Sequence, residues 1–522
     1  MAFENVGAIA LKKYVASQEK GHMASPVLRF WKNLDIVSQI PRSSGQEQRM
    51  GDLLVEFAKE RNLKYDRDES GNVLIILPST AGMQGVPKLA VQAHQDMVAL
   101  GEPDPAKVGV ELVMNWNRTK VRSKNKTTAG TDNGVGLSAL MTLADEKIPH
   151  GEVDMLFTVK EETGLDGAAG LGDGIKKIIG ECKALINVDW EKIGEAAIGS
   201  AGGGDSVLNL PIDKEIIKNK KLLRIVLENG KGGHSGVDIH KGRANAIREL
   251  ALTLKQLNKT KFNLVSITGG VIKDEGKEKE SPIRNAIPPA AEAVIAVDEG
   301  QEKIIKSVLR QRESSIKDQF SEDKKIKLSF REVERHADLM LTRDSTTKSI
   351  NLLTTLPTGL ESVKREYDPL AGELTVQSAN LAIVRTGAYG LRVDVSSRAV
   401  DDTKLAEIRK TVDQVAQIFG AENKELTPYP ACDQDPYTPL FVFANRLHKE
   451  LTGREFTFTK VHGGLEFGYW RKFWPHMSMF AFGPTINDPH STSESMLTKT
   501  VPPFLNYFFN FVSSFPTFAE AL

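Results

Sequence analysis

One repeated feature narrows the fold more than any other. Short apolar runs of strand length alternate with longer stretches whose apolar residues recur every three or four positions. The strand-like runs are NVLIIL (72–77), KLAVQA (88–93), MLFTV (155–159), ALINV (184–188) and MSMFAFG (477–483). From Pro26 to about Glu69 the chain reads as helical, with FWKNLDIVSQI and MGDLLVEFAKERN, and VGLSALMTLADE reads as a further helix after Gly134. This alternation predicts an α/β domain built on a mixed, mostly parallel sheet with helices on both faces.

The texture changes after Gly202-Gly203-Gly204. Residues 204–425 are charge-rich, with long helical stretches at 301–319 and 402–418 and strand-like LLRIVLEN, AEAVIAVD, LAIVRT and LRVDVSS between them. That pattern predicts an inserted α+β domain, with KDEGKEKES (273–281) as a solvated loop. The α/β domain then comprises residues 1–203 and 426–522, interrupted by a lid domain at 204–425.

Composition excludes more than it suggests. In 522 residues, 68 basic side chains balance 68 acidic ones, so no net field asks for nucleic acid or an anionic membrane. No run approaches the roughly 18 apolar residues of a membrane helix. Two cysteines, Cys182 and Cys432, are too few for a disulfide framework or a thiolate metal site. They suit a reducing compartment, so a cytoplasmic protein is the expectation.

Each strand-like run ends in metal-competent chemistry. KLAVQA leads into His94-Gln95-Asp96, MLFTVK into Glu161-Glu162, ALINV into Asp189, and MSMFAFG into a loop carrying His490. Asp132, in TDNG, opens a helix. Ligands of open α/β sheets bind beyond the carboxyl ends of strands, so these distant residues can converge. Histidines with carboxylates suit zinc first, then manganese or cobalt. Asp96, two residues beyond His94, is placed to hold the far ring nitrogen of that histidine. Adjacent Glu161 and Glu162 face different ways, so one can bind metal while the other moves a proton. Asp132 can offer one oxygen to each of two metals, the arrangement of a two-metal hydrolytic site.

The segments QAHQDMV, TDNGVGLSALMTLADE, VKEETGLDGAAGL, KGGHSGVDIHKGRANA, RNAIP, HGGLEFG and FGPTINDPHS are more specific together than any of these signals alone. In order, from about residue 26 onward, they resemble the aminoacyl-histidine dipeptidases (peptidase D, carnosinase-type), within the co-catalytic metal exopeptidase superfamily. The resemblance implies hydrolysis of Xaa-His dipeptides, carnosine-like ones included. It implies one metal on His94 and Asp189, another on Glu162 and His490, and Asp132 between them. Glu161 would be the general base and Asp96 the residue orienting His94. In the lid, His234 would polarise the scissile carbonyl, Arg398 would meet the substrate carboxylate, and Gly463 and Gly464 would line the pocket.

Two other readings stay open at this stage: a metal-dependent amidohydrolase or deacylase, and a non-catalytic metal-binding protein on the same fold. The native metal, the preferred N-terminal residue and the choice between monomer and homodimer are not readable, nor is whether His234 serves its own chain or a partner. His240 and His462 lie within motifs, His150 reads as a turn residue, and His22, His336 and His448 read as exposed. Both cysteines read as packed thiols.

Overall fold

The computed structural model describes residues 8–19, 25–274, 280–334, 338–368 and 372–520. Expectations that fall on His22, His336 and 275–279 lie outside these residues. The chain forms two compact units. One comprises residues 1–199, 433–460 and 465–522, and the other 200–432 and 461–464.

The first unit is built on an eight-stranded mixed sheet. Its strands are β1 (Lys64–Arg67), β2 (Val73–Leu77), β3 (Leu89–His94), β4 (Val153–Thr158), β5 (Ala184–Asn187), β6 (Glu195–Ser200), β7 (Thr457–Val461) and β8 (Ser478–Ala481). Their order is β1-β2-β4-β3-β5-β8-β6-β7. The central strands β4, β3, β5 and β8 run parallel, and β1–β2, β2–β4 and β8–β6 are antiparallel. Strands β3, β4 and β5 are buried along their whole length, which explains their near-continuous apolar sequences.

The helices of this unit include α1 (Pro26–Ser38), α2 (Gln48–Glu60), α3 (Thr131–Ala144), α4 (Pro439–Thr452), α5 (Phe467–Phe473) and α6 (Val501–Glu520). Helix α1 begins where Ser25 caps it, accepting the Leu28 N–H, with Pro26 in the first turn where no amide is needed. Phe504, Phe508, Phe511 and Phe515 of α6 are fully buried, and Phe443 of α4 stacks on Phe518 at 4.3 Å. Each buried ring contributes about 1.5–3 kcal/mol of apolar burial.

Three local readings are corrected. Residues 64–67 are not helical but form β1, which pairs with β2 from Lys64 opposite Ile76 to Arg67 opposite Val73. Lys273–Asp274 and Glu280–Ser281, at the two ends of the expected loop, instead belong to the paired antiparallel strands Val271–Asp274 and Glu280–Ile283. His448 is buried, stacked 3.8 Å from Phe456, with Nδ1 bonded to the Arg454 carbonyl at 2.8 Å.

The second unit has a nine-stranded sheet whose recorded pairings are antiparallel. Its longest strands, Gly372–Thr386 and Gly390–Ala399, form a hairpin in its middle. Helices Ala246–Gln256, Glu302–Gln319, Arg343–Thr355 and Asp402–Phe419 contribute to its separate apolar core. No helix among the described residues is long and apolar enough to cross a membrane.

Candidate metal centre

Parallel neighbours β4, β3 and β5 end at one edge of the sheet, and their last residues and following loops carry His94, Glu161, Glu162 and Asp189. Asp132 precedes the regular part of α3, since its own backbone and that of Asn133 are not helical. His490 sits in the turn of a hairpin made by Ile486–Asn487 and Ser495–Leu497.

These side chains converge. His94 Nε2 lies 3.1 Å from Asp132 Oδ1 and 3.5 Å from Asp189 Oδ1. His490 Nε2 lies 3.0 Å from Asp132 Oδ2 and 2.8 Å from Glu162 Oε2. Three sets of donor atoms each fall within 4.8 Å of one another: His94/Asp132/Asp189, Asp132/Glu162/His490 and His94/Glu161/Glu162. Asp132 belongs to the first two, with one oxygen toward each histidine.

The donor set fits divalent cations. Asp132, Glu161, Glu162 and Asp189 bring four carboxyl groups against two imidazoles, and Glu162 Oε1 is buried with no hydrogen-bond partner. Burying that much acid is costly unless cations share the site. Burial and the Asp132 charge push Glu162 up to about 7, and burial likewise holds Glu161 well above the usual carboxylate range. Burial opposes charge on His490, but its bonds to Asp132 and Glu162 outweigh this and raise it to about 12.

Asp96 does more than face His94. Its Oδ1 lies 3.2 Å from His94 Nδ1, and it accepts the backbone N–H groups of Glu161 and Glu162 at 3.0 and 3.2 Å. Ser44 donates to it at 2.7 Å. One buried carboxylate thus faces the histidine ring and fixes the loop that carries both glutamates.

Two residues escaped sequence reasoning. Arg42 is fully buried and donates to the carbonyls of Gln95 (3.0 Å), Asp96 (2.6 Å) and Gly130, stapling the end of β3 to the loop before α3. Glu494 accepts the N–H groups of Ala129 (2.8 Å), Gly130 (3.1 Å), Thr131 (2.7 Å) and Asp132 (3.3 Å), and the Thr131 hydroxyl (2.6 Å). It ties the segment bearing Asp132 to the loop bearing His490. The available signal was Glu494 itself, an acid four residues beyond His490 in a segment otherwise rich in Ser and Thr.

The second unit gathers the other candidates. His234 Nδ1 accepts the Gly236 and Val237 N–H groups, both at 3.2 Å, which places the proton of the neutral ring on Nε2. Arg398 is buried, donates from Nη1 to the Tyr429 hydroxyl at 2.6 Å, and leaves Nε without a hydrogen-bond partner. A Cβ on Gly464 would stand 2.9 Å from the Tyr429 ring, whereas one on Gly463 would meet only Val461 at 3.5 Å. A Cβ on Gly236 would strike the His462 carbonyl at 2.4 Å, so the His234 turn and the 461–464 loop are in close contact. His462 is buried and shares a 2.7 Å bond with Ser378; burial and the nearby Arg398 hold it down at about 3, a neutral ring.

Residues 226–324 match the peptidase dimerisation domain of the M20 family. The chain is 31% identical over 483 residues to the cytosol non-specific dipeptidase of Escherichia coli K12, covering 90% of this chain and 94% of that protein. It is similar to the crystal structure of aminoacylhistidine dipeptidase from Vibrio alginolyticus, with a TM-score of 0.76, 26% identity, and 95% and 99% of the two chains covered. A Staphylococcus aureus tripeptidase shares the fold at a TM-score of 0.56 and 15% identity, covering 96% of this chain and all of that one. The chain belongs to the M20 family of metallopeptidases, among its dipeptidases.

Proposed function

We propose that the protein is a two-metal dipeptidase acting on short peptides of the Xaa-His type, carnosine-like dipeptides included. The observation that carries this reading is Asp132, whose two carboxylate oxygens face two separate donor sets, His94 with Asp189 and His490 with Glu162. These residues would hold divalent ions, zinc first with manganese or cobalt as alternatives, which when bound would supply Lewis acidity and a more acidic attacking water.

The chain does the rest. Glu161 takes a proton from the attacking water and delivers it to the leaving amine. Asp96 keeps His94 in one tautomer and holds the Glu161 backbone in place. His234 presents Nε2–H to the carbonyl oxygen as negative charge develops, and Arg398 pairs with the free carboxylate of the peptide. Gly463 leaves room for the backbone of a short substrate, and Gly464 lines the pocket where the chain packs against Tyr429. The 204–425 region serves as lid, the dimerisation domain assembles a homodimer, and the protein works in the cytoplasm on small peptides.

The test is metal content together with turnover of carnosine, other Xaa-His dipeptides, dipeptides lacking histidine and N-acyl amino acids, with and without a chelator. Chelator-sensitive hydrolysis of Xaa-His dipeptides is the expected result. Turnover of N-acyl amino acids alone would make the protein a deacylase, and hydrolysis indifferent to metal would end the two-metal reading.

A further inference from the structure

Directly before α5 lies a buried acid that the mechanism above does not use. Glu466 is 1% exposed, and its Oε2 accepts from Gln92 Nε2 and from the Thr158 hydroxyl at 3.1 Å. Gln92 also donates to Thr158 at 3.0 Å and accepts from Asn187 Nδ2. All four side chains are essentially inaccessible to solvent. Outside this layer Glu466 Oε1 and Asn187 Oδ1 find no protein partner.

The placement of this layer is the informative part. Gln92 lies on β3 two residues before His94, and Asn187 ends β5 two residues before Asp189, so each occupies the same face as its ligand one pleat below. Thr158 ends β4 three residues before Glu161. In the sheet, Asn187 stands opposite Gln92, and Thr158 opposite His94. The hydrogen bonds therefore run across the three parallel strands that carry four of the metal-competent side chains. A slip of one residue between any two strands would turn a ligand to the wrong face, and these polar bonds oppose it.

Apolar side chains at such positions would give equal or greater stability, because buried polar networks bring little net gain. The layer thus makes better sense as a registration device. We propose that Glu466 is a positioning residue, the common acceptor that fixes the relative registry of β3 and β4, and through Gln92 of β5, beneath the metal centre. The proposal rests on the metal-site reading above. Burial pushes Glu466 up to about 8, which is consistent with an acceptor whose charge is dispensable.

The experiment compares Glu466→Ala with Glu466→Gln, whose amide oxygen can receive the same two donors. Zn2+ titration of the metal-free protein is expected to show affinity about 10- to 100-fold weaker in the alanine variant, as for other residues that hold a metal ligand from behind. On a dipeptide substrate kcat should fall over the same range with KM within about twofold, and Glu466→Gln should restore both to within about threefold of wild type. Hydrogen exchange of the metal-free proteins supplies an arm independent of metal: amides at 92–96, 158–162 and 187–189 should exchange faster in the alanine variant and at the wild-type rate in the glutamine variant. If Glu466→Ala does not fold, Thr158→Val removes one of the two donors without opening space and should show the same pattern, weakened. Wild-type exchange and metal affinity in Glu466→Ala would overturn the proposal, as would equal losses in the alanine and glutamine variants. Failure of wild-type protein to bind Zn2+ would instead sink the metal-site reading, while the exchange comparison would still decide the role of Glu466.

Discussion

Glu494 offers the sharpest test of how the metal centre is held. Glu494→Ala removes the acceptor of four backbone N–H groups and one hydroxyl in a segment that is almost wholly buried. Hydrogen bonds to a charged group are worth about 1.5–3 kcal/mol each, so a simple sum would exceed 7 kcal/mol. The sum overstates the loss, because water can enter the space the side chain leaves and the loop can relax. Removing one member of a buried ionic network more often costs about 3–5 kcal/mol. For a unit of roughly 300 residues that lowers the melting midpoint by about 5–8 °C. The same change frees the Asp132 backbone, so affinity for Zn2+ should fall by at least about 10-fold at both positions. Glu494→Gln keeps one acceptor oxygen but turns an NH2 group toward backbone donors, and should fall between the two. Thr131→Val, which deletes only the hydroxyl bond, should cost about 1 kcal/mol. Differential scanning calorimetry and metal titration read both effects. A Glu494→Ala protein that melts within about 2 °C of wild type and binds two ions undiminished would refute the reasoning.

Three further outcomes are expected. Glu161→Ala should keep its metal content but lose turnover by about 100- to 10,000-fold, measured by elemental analysis alongside steady-state kinetics; near-normal activity would remove Glu161 as the base. Asp132→Ala should weaken both metal positions together, so two ions still tightly bound in that variant would exclude it as the bridge. Asp154, far from this chemistry, should set a pH dependence of stability: burial raises it from 3.8 to about 6 while the Cys182 thiol donates to it at 3.2 Å. Because the folded value lies above the unfolded one, the native state binds more protons between about pH 4 and 6, and stability is lost as pH rises through 6. Two units correspond to about 3 kcal/mol, so Asp154→Asn should be more stable than wild type by up to that amount at pH 8 and by almost nothing near pH 4. Urea unfolding across this range checks it, and a gap independent of pH would contradict the assignment.

Much of the fold was legible because burial of parallel strands leaves an unmistakable mark. ALINV and KLAVQA are apolar apart from Asn187, Lys88 and Gln92, and they became the central strands β5 and β3. Lys64–Arg67 was misread because KYDR is a polar edge strand, mostly exposed, whose only reason to be extended is its pairing with β2. His448 did carry a signal: Phe441, Ala444 and His448 lie on one face of α4, and a histidine on such a stripe is more naturally buried than exposed. What no helical period could reveal was Phe456, which arrives from beyond the helix to stack on it.

The site divides along the same physical line. Residues that meet a cation must be histidines or carboxylates at strand ends, and chemistry that narrow can be recognised one residue at a time. Residues that hold those ligands are constrained only by where the chain returns. Arg42 serves carbonyls at 95, 96 and 130, Glu494 serves amides at 129–132, and Glu466 serves side chains at 92 and 158. Nothing within a few residues marks Arg42 off from a surface charge, while Glu494 follows His490 by four residues and Glu466 lies within HGGLEFG; in all three the partners are supplied by tertiary structure. Yet each closes an interaction between segments that carry different ligands, and each is almost completely buried. An ionisable side chain that is buried without touching the reacting centre, and whose partners belong to two or more ligand-bearing segments, is therefore best read as part of how the centre is aimed. Its substitution should show first in metal affinity and kcat, with KM little changed.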